Sequence, residues 1–383
     1  MTDVQGHCDD RFAPVQAAFA DGFARGEEHG ASVFVTLDGR PVVDIWAGVA
    51  DDDGTSWQRD TLVNVYSTTK TMAALCVLML ADRGEVDLHA PVATYWPEFA
   101  ANGKEGVLVS HVMSHTAGVS GFDPAIAPTA LYDWDAVCAG LAAQAPWWEP
   151  GTASGYHAIT QGYLQGEIVR RVTGRSIGTF FREEVAEPLG ADFHIGLPAS
   201  EDGRVADLVP PPAAGLDALA AAMASDSIAV RTLLSCPIDA TEPRTRAWRG
   251  AEIPAAGGTG NARSVGRVHS ALACGGEIDG VRLLSEAGVE RILEEQSHTD
   301  DLVLGLKVRF GMGFGLMNES IPLSQSPRSF FWGGYGGSLA LTDLDRRMTV
   351  TYVMNKMSTG LAGDLRGASI VFAAYGALDA LAA

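Results

Sequence analysis

Val65-Tyr66-Ser67-Thr68-Thr69-Lys70, followed by the apolar run Met72 to Ala81, is the stretch around which the chain is organised. Ser67 and Lys70 stand three residues apart, so a helix beginning at Ser67 sets them on one face, one turn apart. A serine hydroxyl at neutral pH is a poor nucleophile and needs a base within hydrogen-bond reach. A lysine can be that base only without its proton. Burial beside an apolar helix lowers its pKa, because burial disfavours the charged form. The helix N-terminus also disfavours positive charge, and it offers backbone N–H groups to a developing oxyanion. The spacing therefore suits acyl transfer through a covalent acyl-serine. A bare S-x-x-K arises by chance in many chains, and on spacing alone a capping serine beside a solvated lysine is the better account of it. Two facts favour chemistry. The chain has four lysines (Lys70, Lys104, Lys307 and Lys356), and none of the other three has serine three residues before it. Lys70 also opens the most apolar helical stretch, where a charge is costly.

The chain has 383 residues, enough for a large core and two structural units. It carries 27 Lys plus Arg against 47 Asp plus Glu, a formal charge of −20. Such a surface repels nucleic acid and anionic membranes and favours solubility. The N-terminal residues show no basic and apolar leader pattern. The run Met72 to Ala81 is too short to span a bilayer. Cys8, Cys76, Cys138, Cys236 and Cys274 are odd in number, scattered and free of C-x-x-C, which reads as reduced thiols in a cytoplasmic protein. No His/Cys/carboxylate cluster has metal-ligand spacing, so no metal and no cofactor are expected. The expected partner is a small molecule.

Strand signals sit at both ends. Ala31 to Leu37 and Pro41 to Ala47 flank Asp38-Gly39-Arg40, a hairpin signal. Val308 to Met317, Ser329 to Trp332, Ser338 to Thr342 and Thr349 to Asn355 are late β runs, the last two joined through Asp343 to Arg346. Between them the chain is Ala-rich and helical. Ile159 to Thr173 is amphipathic and stopped by Gly174, and Asn261 to Ala273 reads as a helix. Pro210-Pro211-Pro212 and the Ala-rich stretch after it read as a surface loop and helix. The economical fold is α+β, an α/β sandwich. Residues 1–86 and 290–383 would form one antiparallel sheet flanked by terminal helices, with a mainly helical unit, 87–289, inserted and the site in the cleft between them.

Gly174-Arg175-Ser176-Ile177-Gly178 matches the G-x-S-x-G nucleophile elbow, but that motif needs a strand before its serine, and here a helix precedes it. His115, in Ser114-His115-Thr116-Ala117-Gly118, suits the orientation of a loop better than catalysis. Gly151-Thr152-Ala153-Ser154-Gly155-Tyr156-His157-Ala158 presents Tyr156 just before a helix. A tyrosine beside a serine–lysine pair can relay a proton if the lysine lowers its pKa; packing at a helix start is the plainer explanation. Trp332-Gly333-Gly334-Tyr335-Gly336-Gly337-Ser338 interrupts a strand with four glycines, which permits close approach of a ligand or a second backbone. A strand edge there could supply a second oxyanion donor.

Taken in order, Tyr-Ser-x-x-Lys, a tyrosine about ninety residues on and a late W-G-G resemble the serine β-lactamase and penicillin-binding-protein superfamily. The nearest resemblance is to the class C β-lactamase-like carboxylesterases, the family VIII esterases. The likeness covers nearly the whole chain and implies the β-lactamase/transpeptidase-like fold. It implies Ser67 as nucleophile, Lys70 as base, Tyr156 as proton relay, and the Ser67 and Tyr335 N–H groups as oxyanion hole. Trp332, Gly333, Gly334, Ala158 and His157 would bind substrate. Two departures bear on substrate. The lactamase tyrosine motif usually ends in Asn where Ala158 stands, and its late motif starts with Lys where Trp332 stands. Losing both removes the handles for an anionic amide, which favours neutral esters with short acyl chains. β-Lactamase, D-amino-acid peptidase or amidase, and acyltransferase activities share the acyl-serine step. A non-catalytic penicillin-binding-like protein has no use for a buried lysine.

Overall fold

The computed structural model describes residues 3–212 and 226–382. Nine strands form one antiparallel sheet: β1 (Gln5–Cys8), β2 (Gly30–Leu37), β3 (Arg40–Gly48), β4 (Ser297–Asp300), β5 (Lys307–Phe310), β6 (Gly315–Leu316), β7 (Ser329–Gly333), β8 (Leu339–Asp343) and β9 (Met348–Met354). Their spatial order is β1-β3-β2-β9-β8-β7-β6-β5-β4. The two ends of the chain meet where β2 pairs with β9, with Val35 opposite Val350. The β2–β3 turn has both Asp38 and Gly39 at positive φ, 50° and 75°, the geometry that matches strand twist in a two-residue hairpin.

Successive side chains on a strand point to opposite faces, and here helices cover both. Helices α1 (Ala13–Ala24) and α5 (Leu365–Ala382) lie together on one side. On the other side, helix α4 (Ala262–Ala273) lies against Phe34 and Thr351 through Gly266, where an added Cβ would stand 2.3 Å from the Phe34 ring. The Tyr352 ring, one residue on, faces Gly367 of α5. Helix α2 (Thr69–Asp82) is buried from Thr69 to Ala81, as expected of a helix apolar on all sides. His269 of α4 ties these layers together: Nδ1 bonds Thr342 Oγ1 at 2.8 Å and Nε2 bonds Thr71 Oγ1 at 3.0 Å.

Several readings meet differences. The run 308–317 is broken at Gly311-Met312-Gly313, where Gly313 takes φ 89° and Gly311 N–H bonds Phe314 O; a turn replaces one long strand. β1 and β4 had no clear pattern in sequence, being short edge strands of mixed polarity. Helix α4 falls within 87–289 but packs on the sheet. The helix expected after Pro212 lies outside the described residues. Helix α3 (Thr160–Thr173) ends as read, with Gly174 at φ 72°. Among the described residues no helix is long and apolar enough to cross a membrane.

The tight α4–sheet contact gives a stability prediction. Gly266→Val places branched carbon where the Phe34 ring stands, so unfolding free energy should fall by about 1–3 kcal/mol, as in other overpacked cores. Thermal denaturation checks this, and an unchanged melting temperature would contradict the packing.

Candidate active site

Ser67 lies in a single turn of 3-10 helix, Tyr66–Thr68, that runs straight into α2. Tyr66 before it has φ 44°. That left-handed conformation is uncommon for a non-glycine residue and costs energy that the surroundings must offset. Those surroundings are visible. Thr69 Oγ1 donates to Tyr66 O, and Gly258 N–H donates to Thr69 Oγ1 at 2.9 Å. Ser338 Oγ donates to Val65 O at 2.8 Å and meets Thr68 Oγ1 at 2.9 Å.

Lys70, one turn on, is 2% exposed. Its Nζ lies 3.1 Å from Ser67 Oγ, and it donates to Ala158 O at 2.7 Å and Ala255 O at 2.9 Å. Burial pushes its pKa well below that of a free lysine. A neutral amine has two N–H bonds and one lone pair. The two carbonyls take the N–H bonds, and the remaining direction faces the serine hydroxyl.

Tyr156 is brought to the same place from the segment before α3. Its hydroxyl faces Ser67, its ring passes 4.8 Å from Lys70 Nζ, and Trp332 Nε1 donates to its Oη at 3.3 Å. Here the structure corrects the relay condition. The Tyr156 pKa is raised by burial, not lowered by the lysine. Burial works against the charged form of Lys70 and against a tyrosinate alike, so it favours Tyr156 as a neutral phenol.

The glycine-rich stretch forms the turn between β7 and β8 rather than a broken strand. Gly334 sits so close to the serine segment that an added Cβ would lie 2.2 Å from Val65 O. This approach sets the following residue, Tyr335, beside the cavity. Among the described residues, the Ser67 and Tyr335 N–H groups make no hydrogen bond.

A cavity of about 420 Å³ opens over Ser67. Its wall is drawn from both stretches of the chain and includes Phe122, Tyr156, Ala158, Cys236, Val303 and Tyr335. Trp332, Gly333, Gly334 and His157 do not line it. Trp332 is buried behind Tyr156, with ring centroids 5.4 Å apart. Gly333 admits the loop at Ala362. His157 is fully buried: its Nδ1 meets Gly155 O at 2.6 Å, and its Nε2 accepts from Val119 N–H at 3.2 Å. His115 Nδ1 accepts from His157 N–H at 3.0 Å, the loop-orienting role. Burial lowers the pKa of both histidines, His157 to about 3. Ser176 caps the short helix Ile177–Phe181 and donates to Glu252 Oε1 at 2.6 Å, away from the cavity. No metal-binding cluster occurs among the described residues.

One residue at the site had no sequence signal. Asp301 is buried, and its Oδ1 accepts from the N–H groups of Tyr156 (3.0 Å), Val303 (2.9 Å) and Leu304 (2.9 Å). A single oxygen thus holds both the tyrosine segment, 145 positions before it, and the cavity-wall residue Val303. An isolated Asp in a loop has no pattern that announces this; only the fold brings Tyr156 to it.

A sheet joined from both chain ends, a helical insertion, and Ser67, Lys70 and Tyr156 brought together beside one cavity are the arrangement of the penicillin-recognising fold class. The chain belongs to the beta-lactamase family, whose model matches residues 15–374. It is 38% identical to the esterase/beta-lactamase LipL of Mycobacterium tuberculosis over 381 residues, covering 94% of this chain and 84% of that protein. Among solved structures it is similar to a family VIII carboxylesterase (43% identity, TM-score 0.91, 98% of this chain and 100% of the other). It is also similar to a penicillin-binding protein homolog from Caulobacter crescentus (41%, TM-score 0.91, 98% and 100%).

The Asp301 anchor can be separated from its charge. Asp301→Ala should slow reaction with a fluorophosphonate, a probe of activated serines, by ~10²-fold through misplacement of Tyr156. Asp301→Asn keeps an acceptor oxygen and should recover most of the rate. Equal rates for both variants and the parent would show that the anchor does not position the site.

Proposed function

We propose that the protein is a serine carboxylesterase that cleaves esters with short acyl chains through an acyl-serine. The observation that carries this reading is the Lys70 amine, with two carbonyls on its N–H bonds and Ser67 Oγ in the remaining direction. The named activities of LipL and of the family VIII carboxylesterase agree with it. Ser67 gives its proton to Lys70 Nζ as Oγ bonds to the ester carbon. The carbonyl oxygen, now negative, takes the free N–H groups of Ser67 and Tyr335. Tyr156 passes its hydroxyl proton to the departing alkoxide and regains one from Lys70, and the C–O bond to the alcohol breaks. Water then attacks the acyl carbon and gives a proton to the Tyr156–Lys70 pair; the acyl–Oγ bond breaks, Ser67 Oγ takes that proton back, and the acid leaves. The cavity wall offers neither the polar side chain for a lactam's amide nor the cation for its carboxylate, since Ala158 and the buried Trp332 occupy those motif positions. His115 and His157 already use ring nitrogens on backbone groups, so neither competes for the Ser67 proton. We place the enzyme in the cytoplasm; the support is that all five cysteines are free. The unit boundaries near 86 and 290 belong to the same proposal; a cavity wall drawn from both stretches supports them, while α4, packed on the sheet, counts against the later one.

Ser67→Ala should lower hydrolysis of a chromogenic short-chain ester by on the order of 10⁴-fold or more. Ser176→Ala should keep most of it. Intact-mass analysis after fluorophosphonate treatment should give one adduct, on the Ser67 peptide; an adduct on Ser176 would sink the assignment.

The pH profile has a definite sign. Lys70 must be neutral to act, and its pKa lies well below the ordinary lysine value, so kcat/KM should rise with pH along one limb and level off before free lysine titrates at about 10.4. Burial raises the Tyr156 pKa, so no fall from tyrosine ionisation should follow. Lys70→Arg should be nearly inactive while folded, because a guanidinium keeps its proton. A folded, active arginine variant, with circular dichroism as control, would remove Lys70 from the mechanism.

A further inference from the structure

One cavity-wall residue takes no part in the steps above. Asp239 is the single charged side chain among the described residues lining the cavity. Its Oδ1 accepts from Thr241 N–H at 2.8 Å and from Thr241 Oγ1, which keeps its pKa below the ordinary value and the carboxylate ionised. Among the described residues its hydrogen bonds all go to that one oxygen, and it makes no ion pair. It is exposed at the cavity mouth. The chain next to it is tied to the serine: Tyr66, adjacent to Ser67, donates from Oη to Ala240 O at 3.2 Å. The Tyr66 and Tyr335 rings meet edge to face at 5.3 Å, both line the cavity, and both feel the Asp239 charge.

A free carboxylate beside two electron-rich rings, with no cation opposite, is a setting that attracts a positive group and repels a negative one. Lys70 does not line the cavity; it is buried, with its amine directed at Ser67 Oγ and two backbone carbonyls. The formal charge of −20 adds a long-range bias of the same sign. We propose that the cavity mouth is a cation subsite formed by Asp239, Tyr66 and Tyr335, selecting esters whose alcohol carries a quaternary or protonated amine. This inference rests on the ester-hydrolase reading and names the substrate class for it. The wall thus has a negative group where an anion would enter, not merely a missing positive one.

Three butyrate esters of similar size test it. Butyrylcholine carries a cation, 3,3-dimethylbutyl butyrate is its uncharged carbon isostere, and 3-sulfopropyl butyrate carries an anion. For the parent enzyme kcat/KM should fall in that order, with cation over isostere by about five- to tenfold at low salt, the size of an exposed cation–carboxylate and cation–π contact. Asp239→Asn should bring the ratio close to one, and salt should compress it in the parent but not in the variant. Calorimetric binding of the cation and its isostere to Ser67→Ala, with and without Asp239→Asn, reads the same preference without turnover. If no ester is hydrolysed but the Asp239-dependent binding preference holds, the hydrolase reading fails and the subsite stands. If esters are hydrolysed but the cation–isostere ratio is unaffected by Asp239→Asn, the subsite is overturned.

Discussion

A lysine amine sealed from water is the constraint on which the site depends. Helix α2 is surrounded on every side, so the side chain that faces inward from its first turn cannot reach solvent. A buried ammonium without a counter-ion is costly, and losing the proton relieves the cost. The neutral amine still needs acceptors for its N–H bonds, and it finds them in two backbone carbonyls, Ala158 O and Ala255 O, 88 and 185 positions away. Burial creates the base, and the two carbonyls aim it.

Close backbone approach completes the arrangement. Gly334 lets the β7–β8 turn rest on Val65, and Ser338 bonds the carbonyl it meets there. These contacts hold the strained Tyr66–Ser67 turn and set two unpaired N–H groups beside one hydroxyl. From the other side, Asp301 grips the Tyr156 segment. The tyrosine ring is then fixed among His115, Trp332 and Phe310; the His115 ring lies 4.8 Å from both Tyr156 and Phe310. Aromatic packing and one indole N–H keep the phenol oriented, and burial, outweighing the pull of that donor, favours its protonated form, which suits a group that hands a proton to a leaving alkoxide.

The Trp332 position shows how one residue changes role with burial. A lysine at that motif position would be expected to face a substrate anion. The tryptophan turns its N–H to Tyr156 and its rings into the core. The cavity is left with hydroxyls, apolar groups and Asp239. Its electrostatic character comes from a loop on the helical side, not from the strand that carries the family motif.

Much of this was legible in the chain. The 3.6-residue period of α3, the Asp-Gly hairpin and the late β runs are local signals, and local signals survive in sequence. The Ser67–Lys70 spacing is likewise a property of one helix turn. Short edge strands such as β1 and β4 carry too few alternating residues to announce themselves, and α4 does not reveal from its own pattern which layer it covers. The direction of the Tyr156 pKa shift, the withdrawal of Trp332 and His157 from the cavity, and the grip of Asp301 all depend on which distant segments exclude water from one another. The sequence by itself determined the residues able to do acyl chemistry and their order along the chain. Only the tertiary structure decided which protonation states are favoured, because desolvation and hydrogen bonding are set by neighbours 88 to 185 positions away.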